Sequence, residues 1–239
     1  MTDFCSEERF LGDVKDHVMT IVRDDGRAGR HIRFKKPGTM CMHFDVITWP
    51  GYLCYTGDMG TYVFRRLEDM FEFFRTSSKH SRQDRQLFIN PAYWGEKLES
   101  IDRGDGFKKF SREKFAAAIK DYYDSHVKED IEEEAEEREM LDDGEALSEA
   151  QVKRFEDAAE FRKSLWEEIE SDVLDKADSN DGGAAIRAAM DFECDGFEFR
   201  DFWETNCDDY TFRFIWCCYA LAWGIEQYDK AKEQVEVAA

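Results

Sequence analysis

Prolines are scarce, three in 239 residues. With so few forced breaks, and with long stretches of Ala, Glu, Lys, Leu and Arg, helix should dominate. No apolar run is long enough to cross a bilayer. The longest, Phe212 to Ile225, has 14 residues and includes Arg213, against the roughly 20 that a spanning helix needs. The opening MTDFCSEERF holds no basic stretch followed by an apolar core, so no secretory leader is expected. The seven cysteines make no CxxC pair and no even framework. That argues against a disulfide scaffold and for free thiols in a reducing cytoplasm. Neither GxxxxGK[ST] nor GxGxxG occurs, so no nucleotide fingerprint is present and no cofactor is expected. His31, His43 and His80 lack the paired helical spacing of metal ligands, and no metal is expected.

Base is what the second half lacks. Residues 1–120 carry 21 Lys/Arg and 18 Asp/Glu, a net of +3, whereas residues 121–239 carry 12 and 36, a net of −24. An acidic half repels nucleic acid and acidic membrane surfaces and attracts basic protein surfaces. No direct nucleic-acid contact is expected of the chain, and no membrane association. The halves can also attract each other or a second copy, so a homodimer is possible. Hydrophobic residues make up 42% of the chain and aromatics 15%, which supports a packed core rather than global disorder.

The pattern predicts an α+β protein in two regions. Residues 1–104 are expected to hold a short helix over 1–22, a basic loop over 23–39 and a three-stranded antiparallel meander. The meander's strands are TMCMHFDVITW, YLCYT and TYVFR, joined by WPG and GDMG. In GDMG, Gly57 and Gly60 suit positive φ, and Asp58 at the tip could touch a partner. LEDMFEFFRTSS reads as a helix with Leu67, Met70, Phe71 and Phe74 inward. Asn90 and Pro91 look like the cap and first residue of another. DRGDG at 102–106 is the expected boundary.

Residues 105–239 read as an acidic helical region. Ser111 can cap a helix whose stripe is Phe115, Ile119, Tyr122/Tyr123, Val127, Ile131 and Ala135. Ser148 and Gln151 form a capping-box pattern before a second stripe of Val152, Phe155, Ala159, Leu165/Trp166, Ile169 and Val173. The two make a long helical hairpin. A last helix, near 209–232, is apolar nearly all round and should be buried.

The hairpin carries KEDIEEEAEEREMLDDGE, residues 128–145, with eleven acidic and two basic side chains. A solvated helix face normally interleaves Lys at i+4. Here Glu129/Glu133/Glu137 and Glu132/Glu136 stack like charges instead. Eighteen helical residues span about 27 Å. Their net charge of −9 is therefore about one per 3 Å, close to the 3.4 Å of a DNA strand. Such a rod could occupy a basic groove built for nucleic acid. The candidate partner-binding residues are Glu129, Asp130, Glu132, Glu133, Glu136, Glu137, Glu139, Asp142 and Asp143. The partner would be a host protein with a basic nucleic-acid-binding groove.

Two rival readings use the first region. Cys41, His43 and Asp45, at i, i+2 and i+4, would share one face of a regular strand and offer a thiol, an imidazole and a carboxylate. A small cytoplasmic hydrolase or nucleotide-handling enzyme could use them, although residues on one strand project in parallel about 7 Å apart rather than converging. Arg23, Arg27, Arg30, Arg33, Lys35 and Lys36, with Phe34 for stacking, could bind nucleic acid or neutralise the acidic helices.

HFDVITWPGYLCYTGDMGTYVF (43–64), with FIWCCYALAWGIEQYD near the end, resembles uncharacterised proteins carried by bacteriophages and prophages, over about a third of the chain. The resemblance implies a bacterial cytoplasm. No function carries over from those proteins; small acidic proteins there often act against host defence, and the likeness to anti-restriction and anti-CRISPR nucleic-acid mimics is in charge character only, with no motif shared. A non-enzymatic inhibitor of a host nucleic-acid enzyme is the leading expectation, and a phage-internal adaptor a further alternative.

Overall fold

The computed structural model describes residues 5–75, 87–104, 106–141, 148–177 and 181–237. The chain forms two compact units, one of Met1–Lys109 with Tyr210–Ala239 and one of Phe110–Asp209. Among the described residues no helix is long and apolar enough to cross a membrane. The fold class is α+β, as expected.

The first unit is built on a six-stranded antiparallel sheet whose strands lie in sequence order. They are β1 (Val18–Asp24), β2 (Arg30–Lys35), β3 (Phe44–Trp49), β4 (Tyr52–Gly57), β5 (Gly60–Arg65) and β6 (Leu98–Ile101). Three short helices, α1 (Glu7–Val14), α2 (Met70–Phe74) and α3 (Pro91–Gly95), and the long last helix α7 (Phe212–Val237) complete it. Alternation along the strands sends Ile32, Phe34, Phe44, Val46, Leu53, Tyr55 and Phe64 to one face, where all are buried. Helix α7 covers that face. Trp216 meets Phe44 at 5.6 Å between ring centroids, Trp223 meets Phe34 at 5.4 Å, and Phe10 of α1 closes on Trp216 at 5.0 Å. Each such ring taken from water contributes about 1.5–3 kcal/mol, so an all-round apolar α7 is the core of this unit.

The expected three-stranded meander is therefore the middle of a larger one. β1 falls where a helix was expected to continue from α1, because Val18, Thr20, Ile21 and Val22 are β-branched and favour a pleated surface. β2 falls in the expected basic loop: RHIRFK alternates His31, Arg33 and Lys35 on one face with Ile32 and Phe34 on the other. β3 starts at Phe44, not Thr39, because Met42 adopts φ +56°, a conformation that ends an extended run. The turn glycines divide their work. Gly60 has φ +100°, while Gly57 is needed for close approach, since a Cβ there would stand 2.2 Å from the His43 carbonyl oxygen. Leu67 precedes α2 and is exposed, whereas Met70, Phe71 and Phe74 are buried as expected. Asn90 caps α3, accepting from the Tyr93 amide, with Pro91 at its start. The chain passes between the units at 109/110 and 209/210 rather than once near 104, because α7 packs with the sheet.

The second unit begins at the last residue of the short strand β7 (Lys108–Phe110) and holds α4 (Arg112–Leu141), α5 (Glu149–Ile169) and α6 (Gly182–Met190). A two-strand hairpin, β8 (Glu193–Cys194) with β9 (Phe197–Glu198), turns at Asp195 and Gly196, both at positive φ, as a two-residue Asp-Gly hairpin turn requires. The strand β10 (Asp208–Tyr210) leads back. Ser111 caps α4 through the Lys114 amide at 3.3 Å, and Ser148 with Gln151 forms the reciprocal capping box of α5. The core is Phe115, Ile119, Leu165, Ile169, Val173, Ala185, Ala189, Phe197, Phe199 and Phe202.

Candidate functional site

Helix α4 runs for 30 residues, about 45 Å, and its two halves are held differently. From Phe115 to Val127 the expected stripe is buried. Beyond Val127 it is not: Ile131 is 46% exposed, Val152 on α5 is 38% exposed, and Ala135 and Ala159 face solvent. Polar staples take over. Arg162 makes two hydrogen bonds to Glu134, at 2.7 and 3.0 Å, and the Tyr123 hydroxyl donates to the Arg162 carbonyl oxygen. Arg154 pairs with Glu137. The Arg138 and Arg154 guanidinium groups both lie over the Phe155 ring, at 4.7 and 4.9 Å, and Phe155 is buried. The Arg162 hydrogen bond pulls the Glu134 carboxyl below its usual range.

These staples spend the arginines on the seam between the helices and leave the carboxylates outside it. Glu129, Glu132, Glu133, Glu136 and Glu139 are exposed and follow one another at steps of one or three residues, which keeps them on one side of a helix. Lys128 reaches Glu132 at 3.6 Å. Glu129, Asp130, Glu133, Glu136 and Glu139 have no ion-pair partner among the described residues. The outer side of α5 differs, because Lys153 and Lys163 interrupt Glu149, Glu156, Asp157, Glu160 and Glu167. The unrelieved acidic face therefore belongs to α4. Five carboxylates stand along about 15 Å of helix, roughly one per 3–4 Å. Asp130 and Glu133 border a cleft of about 300 Å³ between α4 and α5, which also exposes Phe161.

Of the nine residues expected to bind a partner, six are exposed on α4. Glu137 is withdrawn into the staple with Arg154, and Asp142 and Asp143 lie outside the described residues. The sequence pattern missed that Glu134 and Glu137 serve the hairpin itself. The available signal was the basic residues Arg154 and Arg162 on the facing arm.

Cys41, His43 and Asp45 do not form a site. Cys41 is exposed before β3. His43 Nδ1 lies 2.7 Å from the Met40 carbonyl oxygen and 3.1 Å from Asp58. Asp45 is turned to β2, where His31 Nε2 approaches at 2.8 Å and Arg33 binds through two nitrogens at 2.9 and 2.8 Å. Burial opposes the charge on Asp45, but these partners outweigh it and lower its pKa. Asp58, placed at a loop tip where it could touch a partner, accepts from the Met42 amide at 2.6 Å. Phe34, expected to stack on a base, is buried in the core. Arg30 is also buried, bound to Asp69 through two hydrogen bonds of 2.8 Å. No group of three His, Cys, Asp or Glu among the described residues could hold a metal ion, and His80 lies outside them.

Charge follows the units closely. The first unit has 21 acidic and 21 basic residues, net zero, and the second has 33 and 12, net −21, the whole formal charge of the chain. Comparison with family models, with curated proteins and with solved structures gives no match.

Proposed function

We propose that this chain is a non-enzymatic inhibitor that occupies the basic nucleic-acid groove of a host enzyme, with α4 standing in for a strand of phosphates. The observation that carries this reading is the placement of charge. One unit holds all of the −21, and its densest carboxylates are exposed, have a lysine partner at Glu132 alone among the described residues, and are fixed on a stapled helix. A preordered rod loses little conformational entropy on binding. Its carboxylates can accept charge-assisted hydrogen bonds from the Lys and Arg side chains that otherwise hold phosphates. The resemblance of residues 43–64 to phage and prophage proteins favours a defence enzyme of restriction or CRISPR type as the target, in the bacterial cytoplasm.

The test is capture of partners from nuclease-treated bacterial lysate by the full chain, with competition by duplex DNA and RNA. A nucleic-acid enzyme that is retained at low salt, released at high salt and displaced by nucleic acid supports the reading. Replacing Glu129, Glu132, Glu133 and Glu136 with Lys should abolish capture while sparing the Glu134 and Glu137 staples. A partner that nucleic acid does not displace, or that the variant still captures, would sink it.

A further inference from the structure

Among the described residues, no helix of the first unit covers the second face of the six-stranded sheet: residues that point away from α7 are half-buried or exposed, apart from Asp45. The strand register arranges this face in rows. At one end, Trp49, Tyr52 and Arg65 are successive cross-strand partners. The Trp49 and Tyr52 rings stack at 5.3 Å and 14°, and the Arg65 guanidinium lies over Tyr52 at 5.3 Å. Trp49 is 41% exposed. Continuing the pairing of Arg30 with Thr48 by one residue sets Gly29 opposite Trp49, and the Asp25 carboxylate stands where a Cβ of Gly29 would. The middle row is Arg23, His31, Ile47, Cys54 and Val63, a shallow apolar strip with a basic end. Next come Arg33, Asp45, Thr56 and Thr61, tied together by the Asp45 contacts and a 2.8 Å bond between the threonine hydroxyls. Lys35 lies two residues further along β2.

Within a unit of zero net charge, this face carries Arg23, Arg33, Lys35 and Arg65 against Asp25, Asp45, Glu99 and Asp102, whose carboxylate accepts from the Thr61 amide at the end of that row. Its one central carboxylate, Asp45, is neutralised by Arg33. Asp25, beside Gly29, is engaged by the Arg27 and Gly29 amides, and Glu99 stands exposed in the irregularity of β6. Arg23 and Lys35 have no ion-pair partner among the described residues. The rows from Trp49 to Lys35 extend over about 20 Å at 3.3 Å per residue.

We infer that this open sheet face binds single-stranded nucleic acid. A base extends the Trp49–Tyr52–Arg65 stack, and phosphates lie toward Arg23 and Lys35. The stack favours nucleic acid over an acidic protein segment, because a base has a π-face to offer Trp49 and a carboxylate chain has none. Stacking then dominates affinity. The inference is independent of the role proposed for α4, and neither depends on the other's success.

The experiment is fluorescence anisotropy of labelled single-stranded RNA and DNA with the full chain across a salt series. Trp49→Ala should weaken binding at least fivefold, the loss of one stacked base, and Trp49→Phe should restore most of it. The double variant Arg23→Ala/Lys35→Ala should lower the slope of log K against log salt by about 1.4, two phosphate contacts at about 0.7 each. No binding by the unaltered chain, or binding that Trp49→Ala leaves unchanged, overturns the inference. So does a polyglutamate peptide that displaces the labelled strand as well as unlabelled nucleic acid does, which would make this face a protein-docking surface.

Discussion

At the scale of single residues, the most informative group is Asp24, where β1 meets α7. Its carboxylate accepts from the Tyr228 hydroxyl at 2.8 Å, the Gly26 amide at 2.9 Å and Lys232 at 2.7 Å. Burial works against its charge, but Lys232, the Gly26 amide and Tyr228 together outweigh burial and hold the carboxyl at about 2 against an ordinary 3.8. A depressed folded pKa stabilises the fold above the unfolded value. The contribution is full above about pH 5, shrinks below that, and is lost as pH falls through about 2. The shift corresponds to about 2 kcal/mol. Asp24→Asn should therefore unfold at lower denaturant concentration at pH 7, and the gap from the unaltered chain should close as pH is lowered from 5 toward 2. Urea titrations across that range measure it. A gap that does not change with pH would mean that packing, not charge, sets the effect.

At the scale of elements, the acidic hairpin stands or falls on its staples. The Arg162 and Glu134 side chains are only 15% and 19% exposed, so their charge-assisted bonds are worth about 1.5–3 kcal/mol. Arg162→Met keeps the bulk and removes the charge. It should raise amide exchange in α4 beyond residue 128 by about tenfold or more, leaving exchange around Phe115 and Ile119 unchanged. If the whole of α4 loosened together, the two halves of the helix would be one cooperative element. What was legible in the sequence divides along the same line. Caps at Ser111, Ser148 and Asn90, the buried α7 and the stripe to Val127 could all be read, because local chemistry and period suffice for them. The ends of both stripes could not, since Ile131 and Val152 continue the period without a partner to bury them. β1 and β2 were hidden for a different reason. Val14, Val18 and Ile21 happen to fit helical spacing, and the charges of RHIRFK masked a strict two-residue alternation. Asp45 pairing with His31 rather than His43 depended on strand register, which no local pattern carries.

At the scale of the whole molecule, segregation of charge predicts how salt acts. A net −21 confined to Phe110–Asp209 destabilises that unit by self-repulsion, while the first unit, at net zero, feels little. Added salt shortens the screening length from about 10 Å at 0.1 M to about 3 Å at 1 M. Screening also weakens the staples at Glu134 and Glu137, but these attractive pairs are few beside the carboxylates left without a partner on α4 and α5, so relief of repulsion wins. About 1 kcal/mol of relief moves the melting point of a unit of this size by roughly 4–8 °C. Hydrogen exchange followed by mass spectrometry during heating resolves the two units. Between low and high salt, peptides of Phe110–Asp209 should open several degrees later, and sheet peptides such as Phe44–Trp49 should hardly move. Equal shifts in both units would show that the charge is not acting locally. The sign also bears on the proposed function. Salt should weaken capture of a basic partner while it stabilises the hairpin that makes the contact. Loss of capture at high salt then reports screening between the partners, because unfolding of α4 would run in the opposite direction.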